Sequence, residues 1–400
     1  MLNIDAALKL VLDHAKPLAS VPTPMSDALG RVLAEAVVSD IDSPPHDKSI
    51  VDGYAVIATD IEAQQTELAI LEEVTAGAVP SKAVESGAAT RIMTGAPLPR
   101  GADAVVMVEQ TEMSGGRVRI MQPNVRVGQN IVRRATSLAC GQTVLLPGKL
   151  LRPAEIGLLA EVGRQNVAAI PMPRVGVLGT GNELVEHGES PAAGQIRNSN
   201  GPMLAALAES AGATATDLGI ARDNRNDLER AIGTALSTQN VVVISGGVSA
   251  GVLDLVPGTL AALGVEQVFH KVSLKPGKPL WFGEKSGATG QSVLVFGLPG
   301  NPVSSLVCFE LFVRPAIQKM RGLMPTGLRR VSAQLSRDHQ QRGDRPTYWP
   351  ALLENERVTP LAWKGSGDLR TLTDANCLVF FPAGEKLWKA GEEVQALMLD

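Results

Sequence analysis

Three glycine-rich strings in this chain have the composition of ligand-binding turns. They are Gly179-Thr180-Gly181-Asn182-Glu183, Ser245-Gly246-Gly247-Val248-Ser249 and Gly297-Leu298-Pro299-Gly300-Asn301-Pro302-Val303-Ser304. Each follows an apolar run that reads as a strand, ending at Leu178, Ile244 and Phe296. Glycine lets a backbone approach a ligand and present its N–H groups, and small hydroxyls add donors. The third string also opens a helix, whose N-terminus favours an anion. One such turn is usually structural. Three at the strand ends of one sheet argue for a shared crevice, because open α/β sheets bind ligands beyond the carboxyl ends of their strands.

A second constellation is basic: His270-Lys271-Val272-Ser273-Leu274-Lys275-Pro276-Gly277-Lys278-Pro279. If 270–275 is extended, side chains alternate and Lys271 and Lys275 share a face. Lys278 follows a Pro-Gly turn. Ammonium groups this close repel unless an anion or acids lie between them. A solvated basic edge is the plain alternative, but on a chain of formal net charge −4 a phosphate or oxyanion pocket is the sharper expectation. Carboxylates beside turns form a third class: Asp47, Asp52, Asp223 and Asp254. A hard cation such as Mg²⁺ takes one or two carboxylates together with substrate phosphates. Spacing alone does not bring these acids together, and each by itself is an ordinary turn Asp. The five histidines show no metal-ligand spacing. Gly247-Val248-Ser249-Ala250-Gly251 fits the pattern of a nucleophile elbow, but it begins inside a Gly-Gly turn and has no evident His partner.

The elements that must position these residues follow from periodicity. Asn3 caps a helix with Ile4, Ala7, Leu8, Val11, Leu12 and Ala15 on one face. A second short helix is expected at about 26–36. From about 50 to 150, short strand-like runs such as 104–108, 118–121 and 143–146 lie between Gly and Pro, which predicts a mostly β module. Pro153 opens a helix that Gly163 stops. From 174 to about 320, strands near 175–178, 214–219, 241–244, 279–282 and 292–296 alternate with helices near 202–211 and 226–237 and one from Asn301-Pro302. This predicts a doubly wound α/β domain. Short strands at 331–335, 347–353, 377–381 and 394–398 predict a small C-terminal β-barrel or sandwich.

Composition bounds the class. Apolar residues make up 44% of the 400 and aromatics 3%, so Val, Leu, Ile and Ala must pack the core. The acidic balance argues against a nucleic-acid binder. Cys140, Cys308 and Cys377 are scattered and odd in number, which suggests free thiols in a reducing compartment. No stretch is long enough to span a membrane and the N-terminus is not a signal peptide, so a soluble cytoplasmic protein is expected.

Taken together, five strings in one order make the chain resemble the MoeA family and the related E domains of gephyrin and plant Cnx proteins. They are Val51-Asp52-Gly53-Tyr54-Ala55-Val56, Arg91-Ile92-Met93-Thr94-Gly95-Ala96-Pro97, Ser245–Ser249, Lys275–Pro279 and Leu298–Ser304. The resemblance runs the length of the chain. It implies an elongated homodimer of four-domain subunits: 1–43 with 141–172 as a linker domain, 44–140 as the β module, 173–326 as a MogA-like α/β domain and 327–400 as the barrel. It implies a reaction in molybdenum cofactor biosynthesis: adenylylated molybdopterin and molybdate give the cofactor, AMP leaves, and Mg²⁺ or another divalent cation assists. The site is expected to use the α/β domain of one subunit and the β module of its partner.

By motif, Asp52, Asp223 and Asp254 match the acids around metal and pyrophosphate, with Asp223 and Asp254 as metal ligands. Lys271, Lys275 and Lys278 and Glu183 match positions facing pterin and oxyanion. Thr94, Ser245, Gly246, Gly247, Ser249, Pro299, Asn301 and Ser366 match binding positions. A MogA-type adenylyltransferase and molybdoenzyme apoproteins are the implied protein partners. Three departures stand out: Ser137 and Asn182 occupy places where the family has Asp, and Leu255 follows Asp254 where Tyr is common. Fewer carboxylates would weaken cation binding, which keeps a second reading in view: a molybdopterin carrier with weakened turnover.

Overall fold

The computed structural model describes residues 1–61, 65–248, 255–287 and 292–399. The chain divides into two compact units. One comprises Met1–Thr23, Asp27–Ala34 and Ala168–Asp400; the other comprises Pro24–Ser26 and Glu35–Val167.

A six-stranded sheet organises the first unit. Its strands are β1 (Arg174–Thr180), β2 (Thr214–Ala221), β3 (Val241–Ser245), β4 (Glu266–His270), β5 (Trp281–Lys285) and β6 (Val293–Leu298), in the order β2-β1-β3-β6-β5-β4. The first four in that order run parallel, and β5 and β4 add an antiparallel edge. The apolar run of β3 follows from burial on both faces. Val241 and Val243 join the core that holds helices Ile4–His14 and Asn200–Ser210, whereas Val242 and Ile244 join the core under helices Arg225–Thr238 and Leu255–Ala262. The N-terminal helix starts where its spacing placed it: the Asn3 side chain accepts the Ala6 N–H at 2.7 Å.

The helix expected at 26–36 does not form. Met25–Asp27 make one 3-10 turn, Gly30 reverses the chain at φ +76°, and Val32–Leu33 pair with Ile170 and Ala169. Both side chains are buried, so strand pairing overrides the helical spacing.

At the C-terminal end of the same unit, strands Arg330–Leu335, Arg357–Pro360, Thr347–Glu354, Cys377–Phe381 and Glu393–Met398 close into a barrel in that order. The second unit carries a six-stranded sheet ordered Ala104–Met107, Gly53–Val56, Ala88–Ile92, Thr66–Val74, Arg117–Ile120 and Thr111–Ser114. Gly53 is required there, because a Cβ would lie 1.9 Å from the Val106 carbonyl oxygen. Cys308 and Cys377 are free thiols whose ionisation burial opposes, Cys377 being pushed up to about 12; Cys140 is free and exposed. Among the described residues no helix is long and apolar enough to cross a membrane.

From Pro302 to Met320 the chain stays helical, with a π turn at Phe309–Val313 between α-helical Pro302–Cys308 and Arg314–Met320. Pro315 supplies no N–H to the preceding turn and its ring crowds it, which accounts for the local widening. The widened segment buries an ion pair, Glu310 with Arg314, and Arg314 also donates to Ser210 Oγ at 2.9 Å. Removing one partner of such a pair strands the other charge. Glu310→Ala should therefore destabilise this unit by about 3–5 kcal/mol. Denaturant unfolding checks this, and an unchanged midpoint would refute it.

Candidate functional site

The doubly wound order reverses between β1 and β3: β2 lies on one side of β1 and β3 on the other. Loops leaving these two strands diverge there and open a crevice. All three glycine-rich turns enter one cleft of about 730 Å³, whose lining includes Glu183, Asp223, Ser245, Gly246, Gly247, Pro299 and Asn301. The glycines are sterically required. At Gly246 (φ +95°) a Cβ would lie 2.6 Å from the Thr180 oxygen, and at Gly247 (φ +63°) 2.7 Å from Val256 Cγ2. The Gly246 N–H donates to the Leu298 carbonyl at 3.1 Å, which joins the second turn to the third.

Asp223 reaches this cleft through an exchange with Asn182. The Asn182 N–H donates to Asp223 Oδ2 at 3.2 Å, and the Asp223 N–H donates to Asn182 Oδ1 at 3.1 Å. Glu183 and Asp223 both line the cleft, and among the described residues no cationic side chain forms an ion pair with either. No group of three or more His, Cys, Asp or Glu side chains with metal-site geometry occurs among the described residues. A protein-only cage is thus not formed among the described residues.

The basic string builds a second cleft of about 400 Å³, lined by Lys275, Lys278, Ser304, Arg345, Trp363 and Ser366 among others. The two clefts share Pro279. The alternation expected for 270–275 does not hold. Strand β4 ends at His270, and Lys271 turns to φ +73°, held by its N–H on the Leu280 carbonyl at 2.8 Å. Lys271 lines neither cleft, whereas Lys275 and Lys278 line the second together. The helix starts at Asn301-Pro302 as the sequence places it. The Asn301 side chain makes no capping bond and instead lines the first cleft, while the Val303 N–H donates to the Ser366 carbonyl at 3.0 Å.

In the second unit Asp52 and Thr94 meet. Asp52 Oδ1 accepts both the backbone N–H and the hydroxyl of Thr94, each at 2.7 Å. These two bonds, the backbone one foremost, hold the Asp52 carboxyl below its usual range. Asp47 has a structural role: it accepts the Arg134 N–H at 2.8 Å and pairs with Arg133 at 2.6 Å. Ser249, Asp254 and the Gly247–Gly251 elbow-like string fall wholly or partly outside the described residues.

Sequence reasoning missed Asn198, Asn200, Arg345 and Trp363, which all line these clefts. Asn198-Ser199-Asn200 carried a signal, since two asparagines and a serine open a helix. Arg345 carried none, because it sits in a turn of the barrel and reaches the basic cleft only through the fold. Its Nη1 donates to the Leu274 carbonyl at 3.0 Å.

Family models match most of the chain: the MoeA N-terminal region (domain I and II) over 2–163, a "Probable molybdopterin binding domain" over 176–319, and the MoeA C-terminal region (domain IV) over 332–399. The chain is 32% identical to a protein of Staphylococcus aureus (strain Mu50 / ATCC 700699) named molybdopterin molybdenumtransferase, over 99% of this chain and 95% of that one. A Bacillus subtilis (strain 168) protein of the same name is also 32% identical, over 99% and 94%. The molybdopterin biosynthesis MoeA protein of Pyrococcus horikoshii has a similar structure, with a TM-score of 0.84 and 32% identity, covering 100% of this chain and 99% of that one.

The Asp52–Thr94 contact predicts a pH signature. A carboxyl depressed on folding stabilises the unit above its unfolded-state value, and that contribution is lost as pH falls through the lower folded value. The Asp52 midpoint followed by NMR should lie below that of an ordinary Asp and rise part of the way back in Thr94→Val, which keeps the N–H bond. An Asp52 midpoint that ignores Thr94→Val would exclude the hydroxyl as a cause.

Proposed function

The chain belongs to the MoeA family, and on that premise we propose that it inserts molybdenum into molybdopterin: adenylylated molybdopterin and molybdate react to give the molybdenum cofactor, and AMP is released. The observation that carries this reading is the junction of two chemically different clefts at Pro279. One has glycine turns and carboxylates. The other has Lys275, Lys278 and Arg345 around two serines, a set that suits a tetrahedral oxyanion.

In this proposal the cations of the second cleft neutralise molybdate, and Ser304 and Ser366 orient it. Ser245, Gly246, Gly247, Pro299 and Asn301 hold the phosphorylated pterin. Asp223 and Asp254 would hold Mg²⁺, which would supply charge neutralisation at the pyrophosphate, and Glu183 would face the pterin. Asp52, Thr94, Lys271 and Ser249 enter on the resemblance. The four-domain partition, the homodimer, the cytoplasmic setting and the adenylyltransferase and molybdoenzyme partners belong to the same proposal.

The test mixes purified chain with adenylylated molybdopterin, molybdate and Mg²⁺ and follows AMP. Tight pterin binding without AMP release would replace the enzyme by the carrier reading. Lys275→Ala and Arg345→Ala should each lower AMP release by about 10²–10³-fold, in the range found for lost electrostatic donors. Full turnover in both would remove the oxyanion role. Asn182→Asp keeps an acceptor for the Asp223 N–H and adds a carboxylate, so the Mg²⁺ concentration for half-maximal rate should fall; an unchanged Mg²⁺ dependence would show that this departure is silent.

A further inference from the structure

Asn200 is a buried carboxamide in the wall of the glycine-turn cleft, only 8% exposed, at the first turn of helix Asn200–Ser210. Its Nδ2 donates at 2.7 Å to Ser245 Oγ, at the end of β3, and at 2.7 Å to the carbonyl of Gly300, in the turn after β6. Rotating the amide by 180° would set Oδ1 against the Gly300 carbonyl, acceptor to acceptor, so the orientation is determined. Two consequences follow. Ser245 Oγ accepts from Asn200, and among the described residues no acceptor takes the Ser245 hydroxyl proton. Asn200 Oδ1 is buried and likewise takes no donor among the described residues. A buried acceptor left without a partner is unfavourable, and such groups in folded proteins call for an explanation.

We infer that Asn200 is a positioning residue for the ligand of this cleft: it is held with Oδ1 unpaired so that Nδ2 fixes Ser245 as a hydrogen-bond donor toward the ligand. The matching ligand group carries an oxygen lone pair that the Ser245 hydroxyl can reach. A ribose hydroxyl and the lactam edge of a pterin both have this chemistry. The inference rests on the function proposed above, which supplies a nucleotide and a pterin as the ligand's two parts.

The test is a double-mutant cycle on the full chain, with Asn200→Ala and Ser245→Ala alone and combined, read by calorimetric affinity for AMP and, separately, for a free pterin. For the probe that carries the matching group, each single variant should bind roughly tenfold more weakly, the loss of about one net hydrogen bond. The double variant should be no more than about twofold weaker than either single one, because Asn200 acts through Ser245. Coupling seen with AMP assigns the ribose, and coupling seen with pterin assigns the lactam. Losses that multiply, or no loss, with both probes overturn the inference, because a residue that merely ties two turns would act independently of the Ser245 hydroxyl. Should Asn200→Ala fail to fold, Asn200→Ser keeps a small neutral polar group but shortens the side chain away from Ser245, and the same coupling is expected. Absence of AMP and pterin binding by the unaltered chain overturns the functional proposal and this inference together, whereas intact binding with uncoupled variants overturns only the inference.

Discussion

Gly179 and Ser245 are opposite one another at the last rung of the parallel pairing between β1 and β3. That register places the ends of two fully buried strands side by side, and the chain then leaves in loops that diverge over opposite faces of the sheet. β6 pairs with the other edge of β3 and ends opposite the same residue, with Ser245 across from Leu298. Three turns are thereby delivered to one spot, closely enough that Gly246 tolerates no side chain beside Thr180. The apolar runs that set this register are inside the sheet. Sliding one strand by a residue would exchange its two faces between cores and move its turn away from the others.

Charge is segregated around that point. Glu183 and Asp223 lie on the wall of the first cleft, and Lys275, Lys278 and Arg345 gather at the second. Among the described residues Glu183, Asp223, Lys275 and Lys278 form no ion pair, and Arg345 pairs with its exposed neighbour Asp344 at 3.5 Å, whereas Glu310 and Arg314 are buried together. Like charges kept together at a surface cleft are costly until a counter-charged ligand arrives, so the arrangement favours binding over stability. The backbone contributes as well. The Asn182–Asp223 exchange and the Arg345–Leu274 bond fix side chains of exposed turns by main-chain contacts.

The Val241–Ile244 run, the Asn3 cap and the 225–238 helix were legible because burial and capping are local in sequence. The 26–36 segment was not, since a partner strand more than a hundred residues away decides its state. Strand Arg357–Pro360 was missed because its hairpin turns at Asn355-Glu356, with φ +47° and +65°, where a glycine would have been the usual signal. Strand alternation puts Lys271 on one face with Lys275, and the left-handed backbone of Lys271 itself removes it from that face.

The amino-acid order alone determined five of the six strands of the α/β sheet, all but edge strand Glu266–His270, together with the three glycine turns at strand ends, the basic string and the family resemblance, because each is written in short-range periodicity or in contiguous residue types. Only the tertiary structure decided which of those groups share a cleft. It brought Arg345 from the barrel to Lys275 and Lys278, paired Asp52 with Thr94, and buried Asn200 between two turns 45 and 100 residues away. Such meetings depend on strand order and closure across the whole chain, and a one-dimensional pattern holds no measure of distance between segments far apart in it.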